Sequence, residues 1–170
     1  MILSRNRWLD RKDQAITLWL ARHSFDFMRW GLAIVFTWFG VLKFFPSLSP
    51  AEGIATRTIS ALTFGMVPEA WILPGLAAME VAIGLGMFYK PALRFTLLLL
   101  AVQMAGTMTP LVLFPGETFT RFPFAPTMEG QYIIKNLVLI AGAMVVGATV
   151  RGGKMVCSDC AGAARTHFEN

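Results

Sequence analysis

Six polar side chains stand in stretches otherwise built of hydrocarbon. They are Lys43 in FGVLKFF, Glu80 in LAAMEVAIGLG, Gln103 in LLLLAVQMAG, and Gln131, Lys135 and Asn136 in EGQYIIKNLVLIAGA. A carboxylate in such company can do three things. It can pair with a cation, stay protonated and hydrogen-bond as a neutral acid, or help hold the polar head of a ligand. A second set of reactive groups, Cys157 and Cys160 in a CxxC spacing, lies near the C-terminus. Two thiols so spaced suit a redox disulfide or half of a zinc site.

The elements that position these groups follow from composition. Only 15% of the 170 residues are charged and 55% are hydrophobic, with a mean hydropathy of +0.58. Soluble domains carry about 25% charged residues, so a soluble globular domain is excluded. A helix needs about 20 mostly apolar residues to cross roughly 30 Å of hydrocarbon. Residues 28–45, 71–88, 92–114 and 132–150 meet that length, which predicts an all-α, polytopic membrane protein with a four-helix bundle over 28–150. Residues 1–27 and 151–170 form the two flanking segments, and no linker marks a second domain.

Residues 1–13 mix charges of both signs and do not resemble a cleaved signal. Between 14 and 27, Ile16, Trp19, Leu20 and Phe27 recur at helical spacing, with Arg11, Lys12 and Arg22 on other faces. That pattern suits an amphipathic helix lying in the membrane interface before the first span, or else a long extension of that span. Orientation follows from the cations. Arg5, Arg7, Arg11, Lys12, Arg22, Arg29, Lys90, Arg94, Arg151, Lys154 and Arg165 fall on one side, against Arg57 and Arg121 on the other. The asymmetry predicts both termini in the cytoplasm. It also predicts that the net charge of +5 meets anionic lipid head groups, not nucleic acid.

Depth then ranks the partners of Glu80. Eleven residues separate it from Glu69 at the outer end of its span, about 16 Å at 1.5 Å per residue, so it lies near the midplane. A charge there costs about 2.5–3.5 kcal/mol on insertion scales and must face the bundle interior. By depth Lys135 is the preferred cation, with Gln131 one turn above it and Asn136 beside it. Lys43 reaches the same region or snorkels outward. Gln103, with Thr107 one turn further out, is the partner for a neutral acid. The plainer reading of all six residues is a polar clamp that fixes helix register. Ala78, Ala82 and Gly86 predict a ridge of small residues for close packing, as do Ala143 and Gly147. Pro74 and Pro110 predict kinks. Ile54, Ile59 and Leu62 in the first outer connection predict a short surface helix. Phe114, Phe119, Phe122 and Phe124 in the second predict an interfacial anchor, or a lid over the polar residues.

The segments FGVLKFF with AEGI, AAMEVAIGLGMF and EGQYIIKNLVLIAGA, taken in order across about residues 25–150, resemble the DoxX-like superfamily, and within it the DUF417 (YkgB-type) group. The resemblance implies a small four-helix protein of the bacterial inner membrane. Some relatives are subunits of quinone-linked oxidation systems and others are linked to oxidative stress. It places Lys43, Glu80 and Lys135 on polar positions of the family pattern. Asn136 departs from that pattern, since many relatives have Asp after the fourth-helix Lys.

Several chemistries are excluded. His23 and His167 lie outside the expected spans, so an intramembrane bis-His haem is not expected. His167 supplies a third ligand to Cys157 and Cys160 at most, and no fourth follows. The plainest reading of the two cysteines is a pair of reduced thiols on a cytoplasmic tail. Phosphate loops, dinucleotide fingerprints and zinc-protease motifs are missing. Two function classes remain. One is a non-catalytic accessory subunit of a membrane redox system, holding a quinone or similar lipid-soluble ligand at the polar cluster and working with a protein partner or a second copy. The other is a small transport protein, or a scaffold without ligand. The apolar inner half of the fourth span (LVLIAGAMVVGATV) argues against a continuous polar path through one chain.

Overall fold

Mostly apolar stretches of 18 to 23 residues recur four times in this chain, a length that suits long helices whose backbones satisfy their own hydrogen bonds. The computed structural model describes residues 7–45, 48–49 and 52–153, and four helical stretches within it are long and apolar enough to cross a membrane. Helix α1 runs from Arg7 to Leu42 and α2 from Glu52 to Leu62. Helix α3 runs from Glu69 to Phe88. A short 3-10 turn at Lys90–Ala92 leads into α4, Leu93–Met108. The short helices α5 (Pro110–Leu113) and α6 (Pro115–Thr118) precede a two-stranded antiparallel hairpin, β1 (Phe119–Arg121) and β2 (Ala125–Pro126), and α7 closes the chain over Met128–Thr149.

The structure answers three expectations about these elements. Of the two readings of residues 14–27, an interfacial helix before the first span or a long extension of that span, the latter holds: α1 is one unbroken helix of 36 residues, about 54 Å long. No glycine or proline interrupts the sequence between Trp8 and Gly31, so no helix breaker stands near residue 27. The second concerns the small-residue ridge of α3. Of its three members only Gly86 packs closely, against Thr96 of α4, while Ala78 and Ala82 are exposed and the main packed face is Ala77, Glu80, Ile83, Gly84 and Met87. Because α3 is apolar all round, hydrophobic period alone does not mark its inward side. The third is the third span, expected over 92–114 with a kink at Pro110: Lys90–Leu113 is long and apolar enough to cross a membrane, and its α-helix is interrupted once, between Met108 and Pro110. Proline brings no N–H to continue the ladder. Pro74, by contrast, lies within an uninterrupted α3.

Helices α1 and α3 cross closely, and two glycines allow it. A side chain at Gly40 would place its Cβ 2.9 Å from Glu80 Cβ and 2.9 Å from the Val81 backbone nitrogen. At Gly84 it would stand 2.6 Å from the Thr37 backbone nitrogen and 2.9 Å from the Ala33 carbonyl oxygen. Such contacts let two helix backbones approach as in other small-residue crossings. Around this crossing Leu32, Ala33, Phe36, Ile83, Met87, Leu93, Leu100, Met104, Ala143 and Val146 form one buried apolar core. The rest of the four long helices presents large apolar side chains to the exterior, among them Trp38, Trp71, Phe95, Leu98, Val102, Val138 and Met144.

One end of the bundle is covered. Helix α2 turns Ile54 and Thr58 inward, and Arg57 on its outer face makes a two-pronged ion pair with Glu117 of α6. The Arg57 guanidinium also lies 5.8 Å from the centre of the Phe114 ring. Thr127 caps α7, accepting from the Gly130 backbone N–H at 3.2 Å and donating to the Glu117 carbonyl at 2.6 Å. The aromatic loop is thereby folded into α5, α6 and the hairpin, with Phe122 and Phe124 turned outward.

Candidate functional site

Glu80 sits on the α3 face that meets α1, one turn from Gly84, and its neighbour across the crossing is Gly40. Lys43 follows Gly40 by three residues, in the turn that closes α1, so both lie on the same side of the helix end. The crossing that brings Gly40 against Glu80 therefore delivers the lysine to the carboxylate. Lys43 Nζ donates to Glu80 Oε2 at 2.6 Å. From α4, Gln103 Nε2 donates to Glu80 Oε1 at 2.9 Å. Three helical regions thus converge on a single carboxylate, each oxygen of which has its own donor.

All three side chains are withdrawn from the surface. Glu80 and Gln103 are buried, and the Lys43 side chain keeps only 13% of its exposure. The apolar core begins one turn further along at Ile83 and Leu100, so the cluster caps that core toward the α2 end of the bundle. Two buried acceptors stay unmatched. Gln103 Oε1 and Thr37 Oγ1 have no hydrogen-bond partner. Gln103 is further held by the helix itself, since Thr107 Oγ1 donates to the Gln103 carbonyl at 2.9 Å.

The remaining expected members lie elsewhere. Lys135, ranked first by depth, is exposed, and its Nζ lies 5.3 Å from the centre of the Tyr132 ring. Gln131 is exposed as well and Asn136 is half-buried. None of the three is hydrogen-bonded to Glu80. The preference for Lys135 as the partner of Glu80 is therefore corrected to Lys43. Depth along a helix does not give its rotation, and the buried side of α7 runs through Gly130, Ile133, Gly142, Ala143 and Val146. A usable signal existed: Gly40 and Lys43 at a spacing of three, opposite Glu80 and Gly84 at a spacing of four. Cys157, Cys160 and His167 lie outside the described residues.

Sequence reasoning also passed over a second buried charge. Arg29 of α1 is only 8% exposed. Its Nη2 donates to Asp26 Oδ1 at 3.2 Å on the same helix, while its Nε has no partner. Fourteen residues separate it from Lys43, about 21 Å along the helix, so the two buried cations of α1 mark opposite ends of the bundle. No protein-family model matches the chain, and no curated protein or solved structure matches it.

Proposed function

We propose that this chain is a multi-pass protein of the bacterial inner membrane, with both termini in the cytoplasm. In this reading it is a non-catalytic accessory subunit of a membrane redox system, and Lys43, Glu80 and Gln103 receive the polar head of a quinone-type ligand. The apolar exterior of four span-length helices supports the membrane reading, because lipid-facing surfaces need no polar cover. The strong bias of Lys and Arg to one side supports the orientation. The link to redox chemistry rests on the resemblance to the DoxX-like proteins.

One observation carries the ligand proposal. Gln103 Oε1 is a buried acceptor without a donor, beside an ammonium that has three N–H groups and is hydrogen-bonded to Glu80 through one. A quinol hydroxyl donates to such an amide oxygen, and a quinone carbonyl accepts from such an ammonium. Leaving a buried acceptor unmatched costs about 1–3 kcal/mol, so a donor at that point is worth having. The test is to purify the protein in mild detergent, extract its bound lipids and quantify quinones by mass spectrometry. Quinone near one per chain in the wild type, and its loss in Gln103→Leu, is the expected result. Wild-type protein free of quinone, with a thermal midpoint indifferent to added quinone, overturns the reading.

A second reading has its own support. Both Glu80 oxygens have donors within the chain, and the pair closes at the tightest helix crossing of the fold. On that ground the cluster serves as a clamp that fixes α1, α3 and α4, in a scaffold without ligand. The quinone measurement separates the two.

A further inference from the structure

From the geometry around Arg29 we infer a binding site for the phosphate of an anionic glycerophospholipid at the α3–α4 turn end of the bundle. The site rests on the membrane reading above and lies at the other end from Glu80.

A guanidinium offers five donors, and only an acceptor or water can meet them. Arg29 is more than nine-tenths buried, yet its Nε is unpartnered. Its one carboxylate partner among the described residues, Asp26, keeps half of its side-chain exposure and sits on the same helix. A buried arginine so poorly matched is costly to fold unless something else supplies oxygens.

Register between the helices shows what stands nearby. Gly40 opposes Glu80 and Val81, and Gly84 opposes Ala33 and Thr37. Carried one turn further, this antiparallel register puts Arg29 level with the last turn of α3, just before the chain reverses at Lys90. Helical side chains lean toward their own N-terminus, so Arg29 leans past that end. The contact of Gly86 with Thr96 brings the start of α4 to the same level, whereas Met28 packs against Gly142, so the end of α7 lies about two turns beyond Arg29. Arg94 stands at that level and Arg151 farther out on the same side, both exposed. Among the described residues this end holds Arg22, Arg29, Lys90, Arg94 and Arg151 against one carboxylate, Asp26.

The unmatched charge is thus positive, bidentate in shape and placed where a span-length bundle would meet head groups. A phosphate fits it best, because the planar guanidinium fork matches phosphate oxygens in pairs. Surrounding lysine and arginine favour a net negative lipid over a zwitterionic one. In this arrangement Asp26 and the phosphate compete for the same guanidinium.

The test uses the full chain in a neutral maltoside detergent. Thermal unfolding is followed with added phosphatidylglycerol, phosphatidylcholine or inorganic phosphate. Phosphatidylglycerol at about 100 times its Kd is expected to raise Tm by several degrees, since a ligand of the folded state stabilises it by mass action. Phosphatidylcholine is expected to do much less. In Arg29→Gln the phosphatidylglycerol shift disappears, in Arg29→Lys it shrinks, and in the remote Arg57→Gln it persists. Asp26→Asn, at a half-exposed position, keeps the fold and is expected to enlarge the shift by freeing the guanidinium. An undiminished shift in Arg29→Gln, or a lost shift in Asp26→Asn, overturns the site. Inorganic phosphate matching the lipid upholds the phosphate chemistry and overturns the lipid as its source. A chain that stays dispersed without detergent and fails to float with vesicles sinks the membrane reading itself. A detergent-dependent chain whose shift ignores Arg29 sinks only this site.

Discussion

Two charged groups are buried along α1, and the fold treats them differently. At the α2 end, Lys43 pairs with a carboxylate 37 residues away on another helix, and a third helix adds Gln103 to the same carboxylate. At the α3–α4 turn end, Arg29 has among the described residues only Asp26, three residues back on its own helix. A pair between elements ties the elements together and cannot form until they meet. A pair within one helix forms as soon as that helix does and reports nothing about its neighbours. The first is therefore part of the tertiary structure of the bundle, and the second is a local arrangement awaiting an outside partner.

The sharpest way to break this contrast is Glu80→Leu, which strands a buried ammonium. Removing one partner of a buried pair costs about 3–5 kcal/mol, read as a large fall in the thermal midpoint in detergent. The double replacement Lys43→Met with Glu80→Leu is expected to recover most of that loss, as buried pairs often tolerate apolar substitution. A double variant no better than the single one would mean that the two residues do not act as a pair. Next in size is Gln103→Leu, which removes a hydrogen bond to a charged group and is expected to cost about 1.5–3 kcal/mol. Gly84→Val drives a side chain into the Thr37 and Ala33 backbone. Overpacking of this kind costs about 1–3 kcal/mol, and here it also loosens Lys43 from Glu80, so its effect should be less than additive with Glu80→Leu. The smallest effect belongs to Asp26→Asn in lipid-free detergent. A half-exposed pair one turn apart is worth about 0.5 kcal/mol or less, and a loss above about 2 kcal/mol would put the two ends on an equal footing.

The outer ion pair between Arg57 and Glu117 belongs with the weak class. Both side chains keep substantial exposure, so screening by water leaves it roughly 0–1 kcal/mol despite its two-pronged geometry. Its contribution is to orient α2 over the bundle end, where Ile54 and Thr58 already supply the burial.

How much of this was legible in the sequence follows from the same contrast. Span-length apolar runs announced the four long helices, and the isolated acid in LAAMEVAIGLG announced that something must meet Glu80 inside. Gln103 was within reach of the same reasoning. The identity of the cation was not, because counting residues gives depth but not rotation. A helix that is apolar on every side, as α3 is, offers no moment from which to read its inward face. Lys135 has the right depth and the wrong azimuth. The continuity of α1 was left undecided for a related reason. Amphipathic spacing over residues 14–27 suits a helix on a surface and a helix protruding from a bundle equally well, and only a breaker between them would have decided. Arg29 was counted among the cations that set orientation, and its burial needed the register of α1 against α3.

That unbroken α1 has a mechanical consequence. Packing holds it from Met28, against Gly142, through Thr37, against Gly84, to Gly40, against Glu80. Behind that packed stretch the helix continues 21 residues back from Met28 to Arg7. Helices with intact hydrogen bonds bend only gently, so a load applied near the N-terminus is borne by the packed stretch of α1 as one rod. The Lys43–Glu80 contact lies at the far end of that rod.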